Sequence, residues 1–68
     1  MEKYFVIEIS KTINSEVYAT LVTVKDTFIE AKMLFHQTMA SLYANANLEH
    51  AIVKIDNYDG NTIAIESI

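Results

Sequence analysis

Apolar and polar positions alternate at both ends of this chain and repeat every three to four residues in its middle. From residue 4 to residue 10 the alternation sets Phe5, Ile7 and Ile9 on one face and Tyr4, Val6 and Glu8 on the other. Period-two alternation with β-branched and aromatic enrichment predicts a strand. The polar stretch "SKTINSE" then reads as a hairpin loop. A second strand follows over 17–25, with Tyr18, Val22 and Val24 on one side and Val17, Ala19 and Leu21 on the other. Both sides carry apolar residues, so the pattern leaves open which one points inward.

At "DTFIE" the period changes. Thr27 followed by Glu30 matches a capping box, in which the hydroxyl accepts a backbone N–H and the carboxylate reaches back. Asp26 and Glu30 also suit the positive end of a helix dipole. The helix is expected from Phe28 to about Ala46, ending where Asn45 and Asn47 tolerate the left-handed conformation. It would be roughly 27 Å long, against roughly 23 Å for a seven-residue strand, a fitting match for a helix lying along a sheet. A third strand, "HAIVKID", puts Ala51, Val53 and Ile55 opposite Ile52, Lys54 and Asp56. "NYDGN" is the clearest turn signal, and "TIAIES" closes the chain with Ile63 and Ile65 expected inward and Ala64 and Glu66 outward. The order β-β-α-β-β predicts an α+β fold: one domain over 1–68, with a four-stranded, mainly antiparallel sheet and one helix packed on one face.

The helix carries more apolar surface than such packing needs. Ala31, Phe35, Met39, Leu42 and Phe28 form a core stripe, with Leu34 and Thr38 at its edge. A second stripe holds Ile29, Met33, His36, Ala40 and Ala44, and only Glu30, Gln37 and Ser41 make a clearly polar strip. Scattered apolar residues are ordinary on a surface, and alanines favour helix in any case. The sharper expectation is that Ile29, Met33, Ala40 and Ala44 form an interface with another subunit of a homo-oligomer. The outer sheet face, expected to show Tyr4, Val6, Ile52, Ala64 and Ile68, points the same way. Lys32, His36 and Tyr43 lie along one helix edge and are the candidate ligand-binding residues, suited to a small anionic or nucleotide-like ligand at a subunit seam.

Composition narrows the remaining chemistry. At 68 residues the chain has room for a single small core, and small domains usually need a disulfide, a metal or a partner. With no Cys and two His, the first two are not expected, and association remains. Hydrophobic residues at 51% and charged residues at 21% argue against disorder. The net charge is −4, there is no Arg, and Lys3, Lys11, Lys25, Lys32 and Lys54 are scattered, so binding to long nucleic acid is not expected. The longest apolar runs fall far short of a membrane span. "MEKYFVIEIS" has no cleavage site, so the chain reads as a complete, soluble, intracellular protein from Met1. No glycine-rich phosphate loop or nucleophile elbow occurs. "DNYDGN" looks like part of a calcium loop but lacks the rest of one, and a hairpin turn accounts for it. No base has a nucleophile and an orienting partner at a usable spacing. No enzyme, no cofactor and no metal site is expected.

A short hairpin, then "VTVKDTFIEAKMLFHQTMAS", then a second hairpin ending near residue 68 resembles a group of very small ββαββ proteins encoded by bacteriophages and prophages of Gram-positive bacteria. The capped helix start from Asp26 to Ala31, followed by Phe35-His36 and a run of small residues, carries most of that resemblance. In size, charge and expected association the chain is also similar to phage anti-defence proteins that sequester nucleotide signals between subunits. The resemblance implies a non-enzymatic accessory protein in the cytoplasm of a host cell, acting as an oligomeric nucleotide sponge. The alternative is a protein–protein inhibitor or structural accessory that docks on a host protein through its apolar outer surface.

Overall fold

A computed structural model describes residues 2–68. The chain forms β1 (Tyr4–Thr12), β2 (Ala19–Lys25), α1 (Phe28–Tyr43), β3 (Leu48–Asp56) and β4 (Thr62–Ser67). The four strands make one sheet in the order β2-β1-β3-β4, every neighbouring pair antiparallel. This is the expected α+β, β-β-α-β-β architecture. Because β1 is antiparallel to both its neighbours, β2 and β3 run parallel on either side of it. The helix is the crossover between them and must pass over β1, as parallel strands require. It rests on β3 and β1, reaches β2, and leaves β4 uncovered.

The helix begins where its cap predicts. Thr27 has extended backbone angles, and its Oγ1 accepts from the Glu30 N–H at 3.1 Å. The reciprocal bond differs from the expected one: the Glu30 carboxylate accepts from the Thr27 hydroxyl at 3.0 Å, not from the Thr27 N–H. The helix stops at Tyr43, three residues short of the expectation. Ala44 closes it in an ordinary right-handed conformation, its N–H donating to the Ala40 carbonyl. No residue other than glycine has positive φ among those described, so neither asparagine acts as a left-handed cap. Asn45 instead uses its side chain, accepting from the Asn47 N–H at 3.0 Å and turning the chain directly into β3.

The two hairpins differ. The first loop, 13–18, takes up Val17 and Tyr18, which the alternation had placed in β2. Its first residue is tied to the helix–β3 connection, the Ile13 N–H donating to the Asn47 carbonyl at 2.8 Å. The second is the expected turn. Asn57 bonds Asn61 through both backbone and side chain, at 2.8 and 2.9 Å, and Gly60 supplies the one positive φ, 86°. Register shifts at Lys11/Thr12 and at Ile55/Asp56 leave Glu49 and Ile63 as extra residues in their ladders.

The core consists of Ala31, Phe35, Met39 and Leu42 from the helix and Val6, Ala51, Val53 and Ile55 from the sheet. The helix stripe is the one its periodicity predicts except at Phe28, which is 39% exposed at the helix start and packs on Tyr4. The sheet faces of β1 and β4 are the reverse of the expectation. Val6 is 3% exposed beneath the helix, Tyr4 packs on Phe28 at 5.7 Å between ring centroids, and Ala64 and Ile68 flank the core. Of the residues expected on the outer face, only Ile52 is there. The helix-facing side of the sheet mixes sizes: Ile55 and Val53 are fully buried there beside the small residues Ser10, Ala51 and Ala64, and Glu8 shares that face by register.

Candidate interaction surface

The register fixes which side chains share the sheet face away from the helix. Val24, Phe5, Asp56 and Thr62 form one row across the four strands. Val22, Ile7, Lys54 and Ile65 form the next, and Thr20, Ile9, Ile52 and Ser67 the third. Seven of these twelve are Val, Ile or Phe. The outermost are well exposed, Val22 at 52% and Ile65 at 60%, while Phe5, Ile7, Ile9 and Ile52 are half-buried only by one another and their neighbours. A sheet solvated on one face normally alternates apolar-in, polar-out. Here the uncovered face carries the bulkier apolar residues.

The charged groups on this face are already partnered within the chain. Lys54 Nζ lies 3.4 Å from an Asp56 carboxylate oxygen, and the other accepts from the Thr62 hydroxyl at 2.7 Å. At the end of the face Lys11 pairs with Glu49, the extra residue of the bulge. His50 meets Tyr18 edge-on at 6.2 Å, and its Nδ1 donates to the Ile68 carbonyl oxygen at 2.7 Å, so Nδ1 carries the proton. A face of this kind can lose its water without leaving a charge alone, which costs several kcal/mol where it happens. It presents apolar area and no set of free polar groups converging on a point, the arrangement a small polar ligand requires.

Lys32, His36 and Tyr43 do share one shoulder of α1, and all three are exposed. They do not converge. The Lys32 ammonium turns back over the Phe28 ring, 5.6 Å from its centroid, and the His36 ring stands edge-on to Phe35 at 5.6 Å. Two surface clefts are lined by other residues. One runs between α1 and β2 along Lys25, Glu30, Met33, Leu34 and Gln37, and the other lies at the β3–β4 turn beside Tyr4 and Tyr58. Ile29, Met33, Ala40 and Ala44 are exposed on the back of the helix, Met33 at 57%. They form a narrower strip than the sheet face and are interrupted by Gln37 and His36.

Away from both surfaces, Lys3 bonds Asp26 just before the helix cap and holds its carboxyl below the usual range, chiefly through that hydrogen bond. Among the described residues no group of three or more His, Asp or Glu could hold a metal ion, and no helix is long and apolar enough to cross a membrane.

Phe5, Ile7, Val22, Val24 and Ile65 were not singled out by sequence reasoning as surface residues. Two signals could have found them. Strands buried on both faces read as nearly continuous apolar runs, and "YFVI" in β1 and "AIV" in β3 are such runs. Small residues at Ser10, Ala51 and Ala64 also mark the side where a helix with large side chains can approach. No protein-family model, curated protein or solved structure matches the chain.

Proposed function

We propose that this protein is a non-enzymatic interaction module that works by occupying a protein surface with the open face of its sheet. In the phage or prophage setting that its sequence resembles, this is the role of an accessory protein acting by binding alone. One observation carries the reading: the uncovered sheet face holds seven large apolar residues and its charged groups are paired within the chain. Apolar faces of this extent on small proteins mark protein contacts. The reading of Lys32, His36 and Tyr43 as a nucleotide-like ligand site draws less support, because these side chains engage neighbouring rings or solvent and frame no shared cleft.

Site-specific photo-crosslinking tests the proposal. A photoreactive phenylalanine analogue placed at Val22 or at Ile65 should yield a protein adduct in cells producing the chain. The same analogue at Met33 should yield little. Adducts from position 33 alone would move the contact to the helix, and adducts from none of the three would end the docking reading.

A further inference from the structure

We infer that the occupant of the open sheet face is a second copy of this chain, the two sheets packing face to face as a twofold dimer. This rests on the docking reading above and names its partner. The first ground is charge. The whole chain carries −4, yet the open face and its end hold Lys11 and Lys54 against Glu49 and Asp56 and are neutral. The entire excess of acid therefore lies on the helix side, the loops and the edges. A twofold interface sets one patch against itself, so a patch of net charge would repel its own copy. This one does not, and an acidic chain meets its double on the one face where acidity is absent.

Area is the second ground. Four strands about 4.8 Å apart and seven residues at about 3.4 Å give a face of roughly 450 Å² in projection. Two such faces cover about 900 Å² by projection alone. Side-chain relief raises the accessible area towards the roughly 1,200 Å² at which specific interfaces begin.

The third ground is shape. The radius of gyration is 12.2 Å, against about 11 Å for a compact domain of this length. The chain is a thin two-layer slab, its extents 40 × 20 × 15 Å, and its core holds eight buried residues between helix and sheet. Joining two slabs gives a helix–sheet–sheet–helix sandwich in which Phe5, Ile7 and Ile9 become a second core, with sheets about 10 Å apart. Lys54, Asp56 and Thr62 enter that layer already bonded to one another.

Light scattering coupled to size-exclusion chromatography tests this on the purified chain. The mass expected is twice 7.7 kDa. Val22→Glu and Ile65→Glu should each raise the dimer dissociation constant by at least about a hundredfold, since each buries an unpaired charge. Met33→Glu should leave it unchanged. Circular dichroism checks that the variants keep their fold, and as the two residues lie on opposite edge strands, either one suffices if the other unfolds. A mass of 7.7 kDa at the highest attainable concentration overturns the dimer. So does an assembly that Met33→Glu dissociates and the sheet variants do not. The failures are distinguishable: a monomer that still crosslinks from Val22 to a different protein ends the self-pairing and leaves the docking surface in place.

Discussion

Replacing Val6 and Val22 by alanine compares the two faces of the sheet with the chemistry held constant. Both side chains lose the same atoms, and only their surroundings differ: Val6 is 3% exposed under the helix and Val22 is 52% exposed on the open face. Removing two methyl groups from a fully buried site forfeits about 1.6 kcal/mol of transfer free energy, and an unrelaxed cavity brings the total to about 2 kcal/mol. At Val22 half of the surface is already wet and no closed cavity forms, so the loss in the isolated chain is about 0.8 kcal/mol. A domain of this length has roughly 3–10 kcal/mol of stability in all. The Val6 change therefore lowers Tm by about 8–16 °C, and the Val22 change by about 3–6 °C. Urea and thermal unfolding followed by circular dichroism measure both. Protein concentration adds a second axis. If the open face meets a second copy, the cost of Val22→Ala grows as the protein is concentrated, because the dimer that stabilises the wild type is weakened. The cost of Val6→Ala stays constant. Equal costs at the lowest concentration would refute the assignment of faces, and a Val22 cost independent of concentration would count against the dimer.

Three further outcomes follow from local geometry. Thr27→Ala removes the acceptor for the Glu30 N–H and should cost about 1 kcal/mol, whereas Thr27→Ser should stay close to wild type in the same thermal melt. Gly60→Ala meets no atom within 4 Å but places a Cβ at φ 86°, so its cost, about 1 kcal/mol, is conformational, and Gly60→Asn should recover part of it in urea titrations. Asp26, bonded to Lys3, has its pKa lowered on folding below the ordinary 3.8, so its contribution is present at neutral pH and fades as the pH falls through the folded value. The Tm difference between wild type and Asp26→Asn should accordingly be small at neutral pH, since the pair is exposed, and should vanish in acid.

The element order, the helix stripe and the Gly60 turn were legible because each has a local cause. A capping residue, a 3.6-residue period and a residue that accepts positive φ act within a few positions of themselves. The helix end was misjudged because "NAN" offers left-handed candidates that the chain leaves unused: Asn45 turns the backbone through its side chain instead. Strand order was not legible, since two hairpins joined by a helix are compatible with more than one arrangement. The inversion of β1 is the most instructive error. Phe5, Ile7 and Ile9 outweigh Tyr4, Val6 and Glu8 in hydrophobicity, and hydrophobicity alone sends them inward. The face that lies under the helix follows the register with β3, which sets Val6 beside Ile55 and Ser10 beside Ala51, a pairing distant in sequence.

That inversion bears on the candidate site as well. Ile7 and Ile9 are already mostly buried within one chain, yet each keeps part of its side chain exposed on the open face, where further covering adds stability. Polar residues on those positions would leave the helix-side core untouched and make the chain more soluble. In the dimer proposed above, Ile7 and Ile9 pack in the layer between the two copies. The helix shoulder bearing Lys32, His36 and Tyr43 differs: its side chains are partnered by Phe28 and Phe35 or solvated, as expected for the outer flank of an amphipathic helix. Surplus apolar surface is present on the helix flank, at Ile29 and Met33, as the sequence suggests, and also on the open sheet face, where the sequence reading named the wrong residues of β1 and β4.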